Sequence, residues 1–217
     1  MVLRRLRGML RTVVALGAAA FVLASAEAAE PPRRIVSLNL CTDQLLLDLV
    51  EPERIAGVSY LATDPTLSAD AVRLEPFKKL KGTAEEVLAL HPDLVIAGEY
   101  TTGATVDLLR RLGQKVVIVP MAVDFDGMRA TLRQVAAAVG EVSRGEEVLR
   151  TFDDRLHAVR STVQSRPTAI AYQVGSFVSG PESLLDAALT AAGYHNMARD
   201  LALGAGGRLP LEQLVTT

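Results

Sequence analysis

The chain has no tryptophan and one cysteine, Cys41, and aromatic residues make up only 4% of its 217 positions. A single cysteine permits no internal disulfide, so an exported chain of this sequence folds on its core alone. So few aromatics leave no stacking platform for single-stranded nucleic acid. The 23 basic against 25 acidic residues, net −2, leave no electrostatic footprint for nucleic acid either. His-x-x-x-His and Cys-x-x-Cys spacings are missing, as are the G-x-S-x-G elbow, the P-loop and the G-x-G-x-x-G fingerprint. The sequence therefore supports no metal site built from protein ligands, no catalytic residue and no cofactor. What is abundant is apolar: 49% of residues, enough for a sizeable core in one large domain or two small ones.

The first 28 residues read as a secretory signal. Arg4, Arg5, Arg7 and Arg11 precede an apolar run over 12–23, followed by Ala24-Ser25-Ala26 and Ala26-Glu27-Ala28. This is a basic n-region, an h-region and small-residue cleavage sites. It implies a periplasmic protein with a cleavable signal peptide. The competing reading is an uncleaved membrane anchor, for which the apolar run is short. No cysteine stands at the cleavage region, so a lipid anchor is not expected.

The segment 83–98 is the most informative. Thr83 with Glu86 forms a capping box. Pro92 turns its predecessor out of the helical region and ends a short helix by His91. Leu94-Val95-Ile96-Ala97 is then a continuous apolar run that suits a strand covered on both faces, and Gly98 breaks it. A weaker copy of the first half, Leu209-Pro210-Leu211-Glu212-Gln213-Leu214-Val215, stands at the end of the sequence.

In chain order, strands are expected at 34–38, 55–58, 94–97 and 116–119, and helices at 44–50, 104–112 and 128–139. Thr42 or Asp43 is read as the cap of the first helix, and Gly113 and Gly140 as helix stops. Strand and helix alternation with short connections implies a doubly wound parallel sheet over 34–140. From 141 to 166 no strand signal appears. Val148, Phe152, Leu156, Val159 and Val163 form one apolar seam at helical spacing, which predicts a long linking helix. A second α/β unit over 167–217 opens with a strand at 168–173, a loop over 174–182 and a helix at 183–192 stopped by Gly193. It offers a single strand, and a lobe needs several to bury its sheet, so it reads as incomplete.

Taken together, Arg34-Ile35-Val36-Ser37-Leu38 with its loop, the 84–96 segment ending Pro92-Asp93-Leu94-Val95-Ile96, the long helix, Ser183-Leu184-Leu185-Asp186 through Ala192-Gly193 and Asn196, and Leu211-Glu212-Gln213-Leu214 resemble the periplasmic substrate-binding proteins that deliver iron siderophores, haem or vitamin B12 to ABC importers. The order and spacing of the pieces carry the resemblance. It implies two Rossmann-like lobes with parallel sheets joined by a single long helix, with ligand in the cleft between them. It also implies a monomeric partner of an inner-membrane permease, to which each lobe presents one acidic residue. The matching positions are Glu85 and Glu212. The capping box separates Glu85 from Glu86, because Glu86 is occupied by the helix start and Glu85 points outward. The blander role for both is favourable charge at a helix N-terminus.

In open α/β sheets ligands lie beyond the carboxyl ends of the strands. The loops that meet this condition are 39–42, 59–61, 99–102, 121–124 and 174–177. They offer Asn39, Cys41, Thr42, Tyr60, Tyr100, Thr101 and Phe177 as ligand-binding candidates. Aromatic faces suit a flat macrocycle or chelate, and tyrosine hydroxyls suit its polar edge. Asn39 and Thr42 serve equally well as helix caps, and the aromatics as loop anchors. The cleft loops carry no arginine cluster, which favours a neutral hydroxamate chelate or a corrinoid over a polyanionic catecholate. The alternative class is a hydrolase on the same scaffold, with Cys41 as nucleophile and His91, His157 or His195 as its partner.

Overall fold

The computed structural model describes residues 30–161, 166–201 and 203–216. The expected signal peptide and Val163 of the expected seam lie outside the described residues. Among the described residues no helix is long and apolar enough to cross a membrane.

Five strands, β1 (Ile35–Ser37), β2 (Ile55–Ser59), β3 (Lys79–Leu80), β4 (Leu94–Gly98) and β5 (Val116–Val119), form one parallel sheet in the order β3-β2-β1-β4-β5. Between them run α1 (Leu40–Leu49), α2 (Ala71–Leu74), α3 (Ala84–Leu88) and α4 (Gly103–Arg111), followed by α5 (Phe125–Val139). The register Ile35↔Leu94, Val36↔Val95 and Ser37↔Ile96 places the apolar residues of neighbouring strands side by side. Successive residues then feed opposite layers, as the two-residue strand period requires. Ile35, Leu94 and Ile96 join Leu46, Leu49, Leu132, Val135 and Leu149 in one core. Val36 and Val95 join Val87 and Leu109 in the other. Two buried faces explain why these strands read as apolar runs rather than as alternations.

Two elements were not legible. The strand β3 is two residues long and pairs with β2 as Val58↔Lys79 and Ser59↔Leu80. The helix α2 has four residues and no side-chain cap. Neither is long enough to show a period. Of the residues read as caps of the first helix, Asn39 is the one that opens α1, accepting from the amides of Cys41 and Thr42, while Thr42 and Asp43 lie within the helix, a correction to their reading as its cap.

The long helix is α6 (Val142–Ser161), 20 residues, or about 30 Å at its axial rise. Its inward face follows the expected seam over most of its length: Leu156 is buried, Phe152 half-buried and Val148 half-buried against the core, with Leu149 buried beside them, while Val159 is 48% exposed. Gly145 lets α6 approach α5, since a Cβ there would stand 2.5 Å from the Cβ of Ala136. Arg129 of α5 ties the two helices by donating to Asp153, at 2.9 Å from Nε, and lies over the ring of Phe152 at 5.5 Å.

The second lobe holds more strands than the one expected, all of them short. The stretch read as one strand over 168–173 divides at Ile170 and Ala171 into β6 (Thr168–Ala169) and β7 (Tyr172–Gln173), which enter different sheets. Among the described residues of this lobe, parallel pairing occurs only between β6 and β9 (His195–Asn196). The strand β8 (Phe177–Ser179), inside the segment read as loop, runs antiparallel to both β7 and β10 (Gly206–Arg208). Two helices, α7 (Leu184–Ala191) and α8 (Leu211–Leu214), complete it. Ser183 caps α7 as the sequence implies, while Pro210 leaves α8 without a side-chain cap. The fold is thus α/β, two lobes joined by one long helix, with a parallel sheet in the first lobe and mixed short strands in the second.

Candidate functional site

The carboxyl ends of four parallel strands converge on one cavity of about 370 Å³. Leu38 and Asn39 enter it beyond β1, Ser59 and Tyr60 at the end of β2, Leu80 and Lys81 at the end of β3, and Tyr100 and Thr101 beyond β4. Three of the loops expected to meet ligand therefore share one space. Tyr60 is 58% and Tyr100 78% exposed, so both rings are available at its mouth.

The loops are held from below by short polar contacts. Asn39 Oδ1 accepts from the Cys41 amide at 3.0 Å and the Thr42 amide at 3.3 Å. Gly98 passes directly beneath Asn39, and a Cβ there would collide with the asparagine side chain. Thr101 closes the turn after β4: its hydroxyl accepts from the Gly98 amide at 3.0 Å, and its own amide donates to the Gly98 carbonyl at 2.9 Å. Thr42 has no exposed surface. Its hydroxyl lies 2.7 Å from Ser37 Oγ and donates to the Asn39 carbonyl. That leaves it a structural part of the first turn of α1 rather than a face toward a ligand. Cys41 is free and exposed.

Asp43 is fully buried beside this floor. It accepts from the Ser59 hydroxyl at 2.6 Å and from the Ser59 amide at 3.2 Å. Burial pushes its carboxyl up to about 6, against the lowering effect of hydrogen bonds from Ser37 and Ser59. It braces the start of α1 against the end of β2.

The loop expected at 121–124 opens elsewhere. Asp124 caps α5 by accepting from the Gly127 amide at 2.7 Å. With Phe125 and Arg129 it lines a second cavity of about 610 Å³, whose other wall comes from the start of α7, including Glu182, Ser183 and Asp186, and from Arg199. Here both arginines are already paired. Arg129 bonds Asp126 and Asp153, and Arg199 bonds the buried carboxylate of Asp186. Phe177 lines neither cavity. It lies on β8 opposite Arg208 and is 42% exposed.

Glu85 is exposed in the first turn of α3, while Glu86 accepts from the Thr83 amide at 3.4 Å and the Lys81 amide at 2.9 Å. Glu212 is exposed in the first turn of α8. For the hydrolase alternative, no hydrogen bond joins Cys41 to a histidine among the described residues. His195 instead pairs with Asp200 at 2.8 Å in the second lobe. Among the described residues no group of three His, Cys, Asp or Glu is arranged to hold a metal.

Sequence reasoning missed Lys81, because β3 went unseen and with it the loop it opens. The one available signal was the repeated Lys79-Leu80-Lys81 alternation before Gly82, too short to register.

A model described as periplasmic binding protein matches residues 35–217. A cobalamin-binding protein of Halobacterium salinarum is 27% identical over 174 residues, 78% of this chain and 47% of that protein. An uncharacterized ABC transporter substrate-binding lipoprotein of Bacillus subtilis, YvrC, is 23% identical over 62% of this chain and 43% of its own length. The chain thus spans less than half the length of the curated relatives it matches. Among solved structures, the apo form of the periplasmic heme-binding protein RhuT from Roseiflexus sp. RS-1 superposes with a TM-score of 0.72 at 26% identity, covering 85% of this chain and 73% of that one. With the family match running through both lobes and the long helix between them, the chain belongs to the periplasmic binding protein family.

Proposed function

We propose that this chain is the solute-binding component of an ABC importer, working as a periplasmic monomer. It captures an iron chelate, haem or corrinoid in the cleft between its lobes and delivers it to an inner-membrane permease. The observation that carries this is the cavity at the carboxyl ends of β1 to β4, with Tyr60 and Tyr100 at its mouth and Asn39 and Thr101 in its wall. Open aromatic faces over a hydroxyl-lined floor suit a flat ligand with a polar edge. Cys41 stands next to this wall, and Phe177 would meet the ligand from the second lobe. The exposed glutamates Glu85 and Glu212 would dock on permease arginines through charge-assisted hydrogen bonds. The relatives' names agree with this class of cargo and with transport.

The test is a titration of the purified chain with haem, cobalamin and a ferric hydroxamate, followed by tyrosine emission and ligand absorbance. Saturable binding in the micromolar range or tighter, weakened at least fivefold by Tyr60→Ala or Tyr100→Ala, is the expected outcome (about 1 kcal/mol or more for one aromatic contact). A folded chain that binds none of the three would overturn the reading.

A further inference from the structure

We infer that Lys81 makes the cavity selective for ligands carrying an anionic oxygen group, a carboxylate or a phosphate, over uncharged ligands of the same shape. This rests on the proposed function and names the charge of the cargo. The cavity lining contains one charged side chain, Lys81, and no carboxylate. Around it stand groups that hydrogen-bond an oxyanion without opposing it: Asn39, Ser59, Tyr60, Tyr100 and Thr101. Lys81 is exposed, and among the described residues its ammonium enters no ion pair. The nearby carboxylate of Glu86 is turned to backbone, accepting the amides of Lys81 and Thr83. Asp43, beneath Ser59, is sealed from the cavity by burial.

The contrast with the larger cavity decides which of the two takes an anion. There Arg129 is held by Asp126 and Asp153 and Arg199 by Asp186, and Glu182 adds negative charge to the wall. An ammonium without an internal partner, at the edge of a low-dielectric wall, gains most from a carboxylate or phosphate brought in by the ligand. Lysine acts here as a point charge rather than a fork, so it discriminates charge and tolerates either geometry.

The experiment pairs ligands that differ only in that group: haem with its dimethyl ester, and cobinamide phosphate with cobinamide. In whichever pair binds, the charged member is expected to bind about tenfold more tightly, the scale of one charge-assisted hydrogen bond. Lys81→Gln should erase the difference and leave the uncharged member's affinity unchanged, while Lys81→Arg should keep it. Raising salt from about 50 to about 500 mM should bring the wild-type chain toward the glutamine variant. Equal binding of both members by the wild-type chain, or an unchanged ratio in Lys81→Gln, would overturn the inference while leaving the proposed function standing. A folded wild-type chain that binds the uncharged ferric hydroxamate but none of the four would overturn this inference alone, and one that binds neither these nor cobalamin would overturn the proposed function with it.

Discussion

Asp43 shows how much one buried side chain decides. Its carboxyl titrates near 3.8 when exposed and is pushed up to about 6 by burial in the fold. The folded chain therefore holds this proton more tightly than the unfolded chain. Its contribution to stability is fully present below about pH 4 and is lost as the pH rises through 6, a loss of roughly 3 kcal/mol for a shift of about two units. Asp43→Asn removes the titration and keeps one acceptor for Ser59. Urea unfolding of the two proteins from pH 4 to pH 7 should show the variant gaining on the wild type by about that amount. A difference constant with pH would refute the buried ionisation. Neither the burial nor the contact with Ser59 is visible in Asn39-Leu40-Cys41-Thr42-Asp43, where a polar residue before an apolar run reads as a cap. The three-dimensional arrangement gave that role to Asn39, whose extended backbone aims its side chain at the amides of Cys41 and Thr42.

At the level of elements, the segment around α3 behaves as its residues imply. Thr83 and Glu86 form a reciprocal capping box and Val87 is fully buried. Thr83→Ala should lower stability by about 1 kcal/mol, measured as a shift in the urea midpoint with the slope unchanged. An unchanged midpoint would mean that packing of Val87 alone holds the helix. The crossing of α5 and α6 depends on close approach at Gly145, where added bulk meets Ala136. Gly145→Val should therefore destabilise the chain by about 1–3 kcal/mol through overpacking, despite removing a flexible residue from a helix. A variant at least as stable as the wild type would show that the helices part freely there. The seam expected along α6 holds at Val148, Phe152 and Leu156 but gains Leu149 and loses Val159, because helical spacing identifies a stripe but not the width or length of its contact. Leu149 went inward against α1 and α5, and Val159, past the end of that contact, stayed exposed.

For the molecule as a whole, the proposed docking surface consists of one exposed glutamate in each lobe, Glu85 on α3 and Glu212 on α8. Reversing both, Glu85→Arg with Glu212→Arg, should abolish uptake of the bound ligand in a reconstituted importer while its affinity for the chain in solution is unchanged. Uptake at the wild-type rate would remove the docking role. Single reversals should each lower uptake, since a two-point contact loses orientation as well as energy when one point is reversed.

The residues alone determined the α/β class, the parallel sheet of the first lobe, the long helix and the loops on which a ligand site would stand. These features follow from local chemistry repeated along the chain: apolar runs of strand length, caps, prolines and glycines at the ends of elements. The tertiary structure alone decided what non-local pairing controls. It divided 168–173 between two sheets and added a two-residue strand at Lys79–Leu80, because so short a strand exists only through its ladder to β2. It also sorted the candidate residues. Tyr60, Tyr100, Asn39 and Thr101 share a cavity, Thr42 is sealed beneath it, Phe177 lies apart, and Lys81 joins from a strand with no period of its own. A carboxyl-end loop can be named from the sequence because the chain direction is enough to place it. Which loops face one another depends on strand order, and strand order is set by packing between residues far apart in the chain.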